Sequence, residues 1–346
     1  MKKAYLYIAI STLMFSSMEI ALKMAGSAFN PIQLNLIRFF IGAVVLLPFA
    51  LSALKQTGRK LGGADWRLFA LTGLVCVIVS MSLYQLAITV DQASTVAVLF
   101  SCNPVFALLF SYLILHERLG RSNLISVVIS VIGLLIIVNP AHLTNGLGLV
   151  LAIASAITFG LYSIVSRYGS VKRGLNGLTM TCFTFFAGAF ELLIIALITK
   201  IPAVASGLRT IGLRQFAAIP VLTNVNMTYF WLLFFIGVCV TGGGFAFYFL
   251  AMEQTDVSTA SLVFFIKPGL APILAALILH EKILPTTIVG IVVILIGSVV
   301  TFVGNRFKER DSTMGKEAKA AAEAEIKASV REQMATHSNA ISEQED

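Results

Sequence analysis

Apolar residues gather in ten stretches of the chain, approximately 4–22, 32–54, 67–89, 93–115, 122–139, 147–167, 177–199, 227–250, 257–279 and 285–304. An α-helix needs about 20 predominantly apolar residues to cross the hydrocarbon of a bilayer, so the pattern predicts ten transmembrane helices. Connections between the stretches are short apart from 200–226, which leaves little chain for a soluble domain. Residues 305–346 break the pattern. There Lys316, Glu317, Lys319, Glu323, Glu325 and Lys327 alternate with alanines, as expected of a solvated, charged tail. Lys2 and Lys3 ahead of the first run imitate a secretory leader. Glu19 and Lys23 follow without a small-x-small cleavage site, so the run is read as the first membrane helix.

Composition agrees with lipid as the solvent. The 346 residues are 58% hydrophobic and 12% charged, with a mean hydropathy of +0.90, whereas soluble domains carry about 25% charged residues. The net charge of +8 does not point to nucleic acid, because Lys and Arg sit in short groups between apolar runs without an aromatic-basic stripe. Basic residues at 2–3, 55–67, 118–121, 167–173 and 306–310 fall on one side of the predicted membrane. Only Lys23, Lys200, Arg209, Arg214 and Lys282 fall on the other. Positive loops face the cytoplasm, so both termini are expected inside. Cys76, Cys102, Cys182 and Cys239 lie within apolar runs with no CxxC pair, and are read as reduced packing residues.

The chain repeats itself. A shift of 164 residues sets Tyr84, Ser94, Thr95, Phe100 and Pro104 on Tyr248, Ser258, Thr259, Phe264 and Pro268, and 113–117 (Leu-Ile-Leu-His-Glu) on 277–281. A shift of 146 sets Asn30, Phe39, Phe40, Gly42 and Ala43 on Asn176, Phe185, Phe186, Gly188 and Ala189. The difference is an 18-residue insertion after helix 7. Each copy holds five helices, an odd number, so the second must enter the membrane from the opposite side. The fold class is therefore an all-α integral membrane protein: ten transmembrane helices as two inverted five-helix repeats, N-in and C-in. Its parts are 1–139, 140–304 and the cytoplasmic tail 305–346. Inverted repeats characterise secondary transporters, whose halves exchange conformations around a midplane site.

Residues 15–23 (FSSMEIALK), 30–51, 94–119 and 258–283 make the chain resemble the drug/metabolite transporter superfamily, in its ten-helix EamA-type branch. Pro104, Pro268, Glu117, Glu281 and Arg38 match that pattern residue for residue. Phe15-Ser16, where Trp-Gly is usual, and Glu19 depart from it. The resemblance implies a transporter with a cavity lined by helices 1, 3, 4, 6, 8 and 9, and leaves the cargo open.

Charges inside membrane helices cost about 2.5–3.5 kcal/mol each on insertion scales, and so mark candidate functional residues. Lys267 sits near mid-helix 9 just before Pro268, and its repeat partner is Asn103 before Pro104. Proline frees carbonyls in the preceding turn, so two polar-Pro steps facing one axis form a candidate substrate site. The alternative for Lys267 is a structural pair with a carboxylate. Glu19 and Arg38 are expected to meet as an ion pair between helices 1 and 2, with Lys23 also in reach of Glu19; otherwise Glu19 is a protonatable coupling group. Glu191 aligns with Val45, so the repeat lends it no support. Glu117 and Glu281 are read as loop caps or gates. The neighbouring histidines form no HExxH, because positions 120 and 284 are Gly and Leu, and no metal site is expected. Tyr84, Tyr248, Phe100, Phe264 and Phe265 are candidate stacking residues. Gly242-Gly243-Gly244 lacks the Lys-Ser/Thr of a nucleotide loop, so neither ATP nor another cofactor is expected.

Together these residues predict a secondary transporter of the inner membrane, an exporter or exchanger of a small metabolite bearing a carboxylate or phosphate. A proton is the candidate coupling ion, membrane lipids are the other partners, and a monomer suffices. A lipid or amphipathic-compound flippase using the same cavity is the alternative. No constellation of catalytic residues supports an enzyme.

Overall fold

The computed structural model describes residues 2–116, 121–138, 145–254, 262–297, 299–300 and 303–304. Among them every regular element is helical. Seven helices are long and apolar enough to cross a membrane: α1 (Lys3–Ala25), α2 (Pro31–Thr57), α3 (Gly63–Val90), α4 (Ala93–Ile114), α6 (Gly146–Arg173), α7 (Gly177–Ile198) and α8 (Phe230–Met252). Three more apolar helices complete the order: α5 (Arg121–Val138), α9 (Leu262–Ile278) and α10 (Pro285–Gly297). The tail 305–346 and Glu117 lie outside the described residues.

Helix ends follow local chemistry. Asn30 begins α2 by accepting from the amides of Ile32 (2.9 Å) and Gln33 (3.3 Å), with Pro31 filling the first turn where no donor is needed. Asn176, its repeat partner, caps α7 through the amide of Thr179 at 2.7 Å. His116 and His280, related by the 164-residue shift, both adopt left-handed backbone, with φ of 54° and 55°. The repeat therefore extends from sequence to backbone geometry.

Two further features recur between the copies. A π-helical stretch interrupts α3 at Leu74–Ser80, and another interrupts α8 at Phe235–Gly243, overlapping it under the 164-residue shift. Phe39 meets its own repeat partner Phe185 edge-on at 4.7 Å, and Phe40 meets Phe186 at 6.2 Å. Contact between equivalent residues is what a two-fold relation between α2 and α7 produces. Nearby, α3 and α7 touch backbone to backbone: a Cβ on Gly73 would stand 2.6 Å from the amide nitrogen of Gly188. Small residues permit that approach where van der Waals packing must hold helices together.

The proline-bearing helices differ. α4 breaks at Ser101–Cys102 into Ala93–Phe100 and Asn103–Leu115, whereas α9 runs on from Leu262 to Ile278 with Pro268 and Pro272 inside it. At the break, the side chains of Ser101 and Asn103 donate to the carbonyls of Ala97 (2.7 Å) and Phe100 (2.8 Å).

The inserted connection 200–226 is a strap rather than a domain. It contains a short helix, Pro202–Thr210, and lies against the α1–α2 turn. Asn30, Gln33 and Asn224 side-chain amides bind the carbonyls of Gln215 (2.9 Å), Thr223 (2.7 Å) and Ala28 (2.5 Å) across that contact. At the other end of α2, Asp65 pairs with Arg59 (3.0 Å) and Arg173 (3.8 Å), tying the α2–α3 turn to the end of α6.

Candidate functional site

The central charge cluster is assembled from four helices. Lys267 on α9 is 5% exposed and places its Nζ 2.7 Å from Oε1 of Glu19 on α1, which is 1% exposed. The Tyr84 hydroxyl of α3 donates to the same carboxylate oxygen. The ammonium also stands 5.4 Å from the centre of the Phe100 ring on α4. Glu19 Oε2 has no hydrogen-bond partner. Two charges removed from water need such geometry, because an unpaired ion at this depth would carry a penalty of several kcal/mol.

Arg38 on α2 is also 1% exposed and is not half of that pair. Its Nε donates to Asn35 Oδ1 at 2.9 Å, Nη1 approaches Met18 Sδ at 3.5 Å, and the guanidinium carbon lies 4.4 Å from the Phe39 ring centre. Nη2 has no partner. The expected Glu19–Arg38 bridge is thus corrected to Glu19–Lys267. Its physical reason is packing: α1 lies mainly against α8 and α9 rather than along its sequence neighbour α2. Lys23 turns away from Glu19 as well, donating to the carbonyls of Ile88 (2.7 Å) and Asp91.

Lys267 and Arg38 share the wall of one cavity with Met18, Cys76, Asn103, Pro104 and Thr241. Met81, Ser101 and Val240 also line it, and the rest of the wall is aromatic: Phe15, Phe39, Phe100, Phe159, Tyr162, Phe185, Phe245 and Phe264. It offers about 60 Å³ to the centres of water molecules, room for a few waters in this conformation. Three charges therefore border or support this space, and two are positive. The wall draws on helices of both repeats.

The other sequence candidates divide. Asn103, Pro104 and Phe264 line the cavity, and Phe264 stacks on Phe15 at 5.8 Å. Tyr84 supports the ion pair from beneath the wall, its ring 4.6 Å from Phe100. Tyr248 lies behind Phe264, at 5.0 Å, and does not line the space. Pro268 is buried beside Lys267, and the Phe265 side chain lies outside the described residues. Glu281, on the α9–α10 connection, accepts from the amides of Ala93 (2.8 Å) and Ser94 (3.0 Å) and from the Ser94 hydroxyl (2.7 Å). It caps α4 from the other repeat, where the positive helix end favours a carboxylate. The four cysteines are free thiols. Sequence reasoning missed Asn35, whose place one helical turn before Arg38 was a usable signal, and Tyr162, for which there was none.

The family model for the EamA-like transporter family matches residues 2–139 and again 146–303. The chain belongs to the EamA-like transporter family. It is 35% identical to an uncharacterized transporter of Clostridium kluyveri over 315 residues, covering 88% of this chain and 95% of that one. It is 22% identical to the "Probable terminal-alkyne amino-acid exporter" of Streptantibioticus cattleyicolor, over 84% of this chain and 90% of the exporter. An S-adenosylmethionine uptake transporter of Rickettsia prowazekii matches at 24% over 49% of this chain and 56% of its own length. One solved crystal structure shares the fold, with a TM-score of 0.57 and 17% identity over 86% of this chain and 95% of the other. With its apolar helices, this EamA-like protein is a multi-pass membrane transporter of small molecules, in agreement with the family resemblance of the sequence.

Proposed function

We propose that this EamA-like protein is a secondary active transporter, an exporter or exchanger, of a small metabolite bearing a carboxylate or phosphate. It works by alternating access around the aromatic cavity. The observation that carries this reading is Arg38: a fully buried guanidinium on the cavity wall with Nη2 unpartnered. A buried cationic donor left unpaired is costly, and an anionic group arriving in the cavity would satisfy it with a charge-assisted hydrogen bond. The aromatic wall suits an apolar body attached to that anion.

Lys267 and Glu19 supply the coupling element. Protonation of Glu19 weakens its hold on the Nζ of Lys267 and leaves a second cation for the cargo. The cargo's exit lets the pair re-form. Asn103 and Phe264 flank the cargo, and Tyr84 keeps Glu19 oriented. Glu281 holds the outer end shut through α4, with Glu117 as its counterpart on the inner side. In this reading the halves 1–139 and 140–304 are inverted units, both termini are cytoplasmic, and one chain in the inner membrane is sufficient.

Counterflow in liposomes tests the proposal. Protein loaded with an unlabelled carboxylate or phosphate metabolite should accumulate its labelled counterpart, and Arg38→Gln should abolish that accumulation. Failure to equilibrate any small anion would end the reading. Movement of a short fluorescent lipid in the same liposomes, with no metabolite counterflow, would favour a lipid transporter instead.

A further inference from the structure

A second carboxylate faces an opening that the central cavity does not include. Glu191 lies fourteen residues beyond Gly177 at the start of α7, about 21 Å along the helix axis and well within its apolar run. Its Oε2 is buried and has no partner. It borders a groove of about 480 Å³ on the side of the bundle, between α2, α3 and α7. Leu47, Trp66, Phe183, Phe186 and Phe190, with the small Ala70 and Ala187, form the remaining walls, and among the described residues lining the groove Glu191 is the one charge. Trp66 and Phe190 are 47% and 64% exposed, so the groove opens sideways, toward the position of lipid.

We infer that this groove is a lateral binding site for compact, hydrophobic amines, whose ammonium pairs with Glu191 while an aryl or alkyl body lies along the phenylalanines toward Trp66. The chemistry of the walls selects that class. An ion at this depth is costly and requires a counter-charge, and aromatic faces around it attract cations. A phospholipid headgroup is a poor occupant, because its phosphate would enter hydrocarbon with no cation in the groove to meet it. A neutral acyl chain would leave the carboxylate oxygen unpaired. The site differs from the central cavity in sign: it is negative where the cavity holds an unpartnered guanidinium. It stands whether or not the central cavity carries anions.

The protein contains a built-in reporter. It has 2 tryptophans, so Trp231→Phe leaves Trp66, at the groove's rim, as the protein's one tryptophan, read by selective indole excitation. In lipid nanodiscs, a nitroxide-labelled phenylalkylamine should quench Trp66 saturably, and the unlabelled amine should reverse the quenching. The matching nitroxide alcohol should require at least tenfold more for half-saturation. Glu191→Gln should weaken amine quenching at least tenfold, whereas Glu191→Asp should retain it. Equal quenching by amine and alcohol in the Trp231→Phe protein overturns the site, even where Glu191→Gln fails to fold. So does amine quenching that survives in well-folded Glu191→Gln.

Discussion

Lys267 and Glu19 come from opposite ends of the membrane region, yet their charged atoms stand 2.7 Å apart and almost wholly buried. Tyr84 completes the arrangement by donating to the same carboxylate oxygen. The pair joins the first helix of one repeat to the fourth helix of the other. A change in its state is therefore also a change in how the repeats are held together.

Breaking that pair from one side should be worse than removing it. Lys267→Met or Glu19→Gln each leaves a buried ion alone and should cost about 3–5 kcal/mol of stability. The double variant should recover most of the loss, since neither charge remains. Thermal unfolding of the four proteins in detergent reads this directly. Additive losses would mean the two residues do not depend on each other.

Arg38 should behave differently. Its Nη2 has no protein partner, so Arg38→Gln should change the stability of the empty protein less than Lys267→Met does. Ligand response should disappear instead. A cargo anion at about 100 times its dissociation constant should stabilise the parent protein by roughly 2.7 kcal/mol and leave Arg38→Gln unshifted. An unchanged shift would move the anion contact elsewhere on the wall.

Glu281 holds the N-terminus of α4 through three hydrogen bonds. Glu281→Gln replaces a charged acceptor at a helix start and should cost about 1 kcal/mol. It should also loosen that end of the bundle. Alkylation of Cys76, which lines the cavity, by a membrane-impermeant thiol reagent added outside should accelerate severalfold. Unchanged alkylation would mean that the cap does not control access.

Asp91 lies in the turn between α3 and α4, outside the spans. Burial raises its carboxyl above the ordinary value; the amide of Gln92 and the charge of Lys23 pull it down, and Glu281 adds to the rise. A carboxyl whose folded value is raised stabilises the fold most when protonated, below its unfolded value of about 3.9. That contribution is lost as pH climbs through the folded value. Asp91→Asn should therefore flatten the fall in stability just above pH ~4, measured as unfolding temperature against pH. A steeper fall in the variant would contradict the sign.

Much of the fold could be read from the chain because lipid imposes a simple rule of apolar length, and because the copies retain Asn30 and Asn176 or His116 and His280 at equivalent ends. Lys267 and Arg38 were legible as costly charges. Their partners were not. Antiparallel succession suggested that Glu19 meets Arg38, but docking of α1 on α8 and α9 is decided by side-chain fit across the whole bundle. The π-helical stretches of α3 and α8 were equally hidden, since their apolar residues would suit an ordinary helix. Glu191 gained nothing from the repeat because only one copy carries an acid there.

The two proline helices give the fold a sense of time. α4 is parted ahead of Asn103 while α9 remains whole around Lys267, so two versions of one inherited helix hold different conformations within the same molecule. In the alternating access proposed above, each is a portrait of the other's next position. That reading expects α4 to knit together at Ser101–Cys102 in the opposite-facing state, and α9 to part at the turn ahead of Pro268, carrying Lys267 away from Glu19.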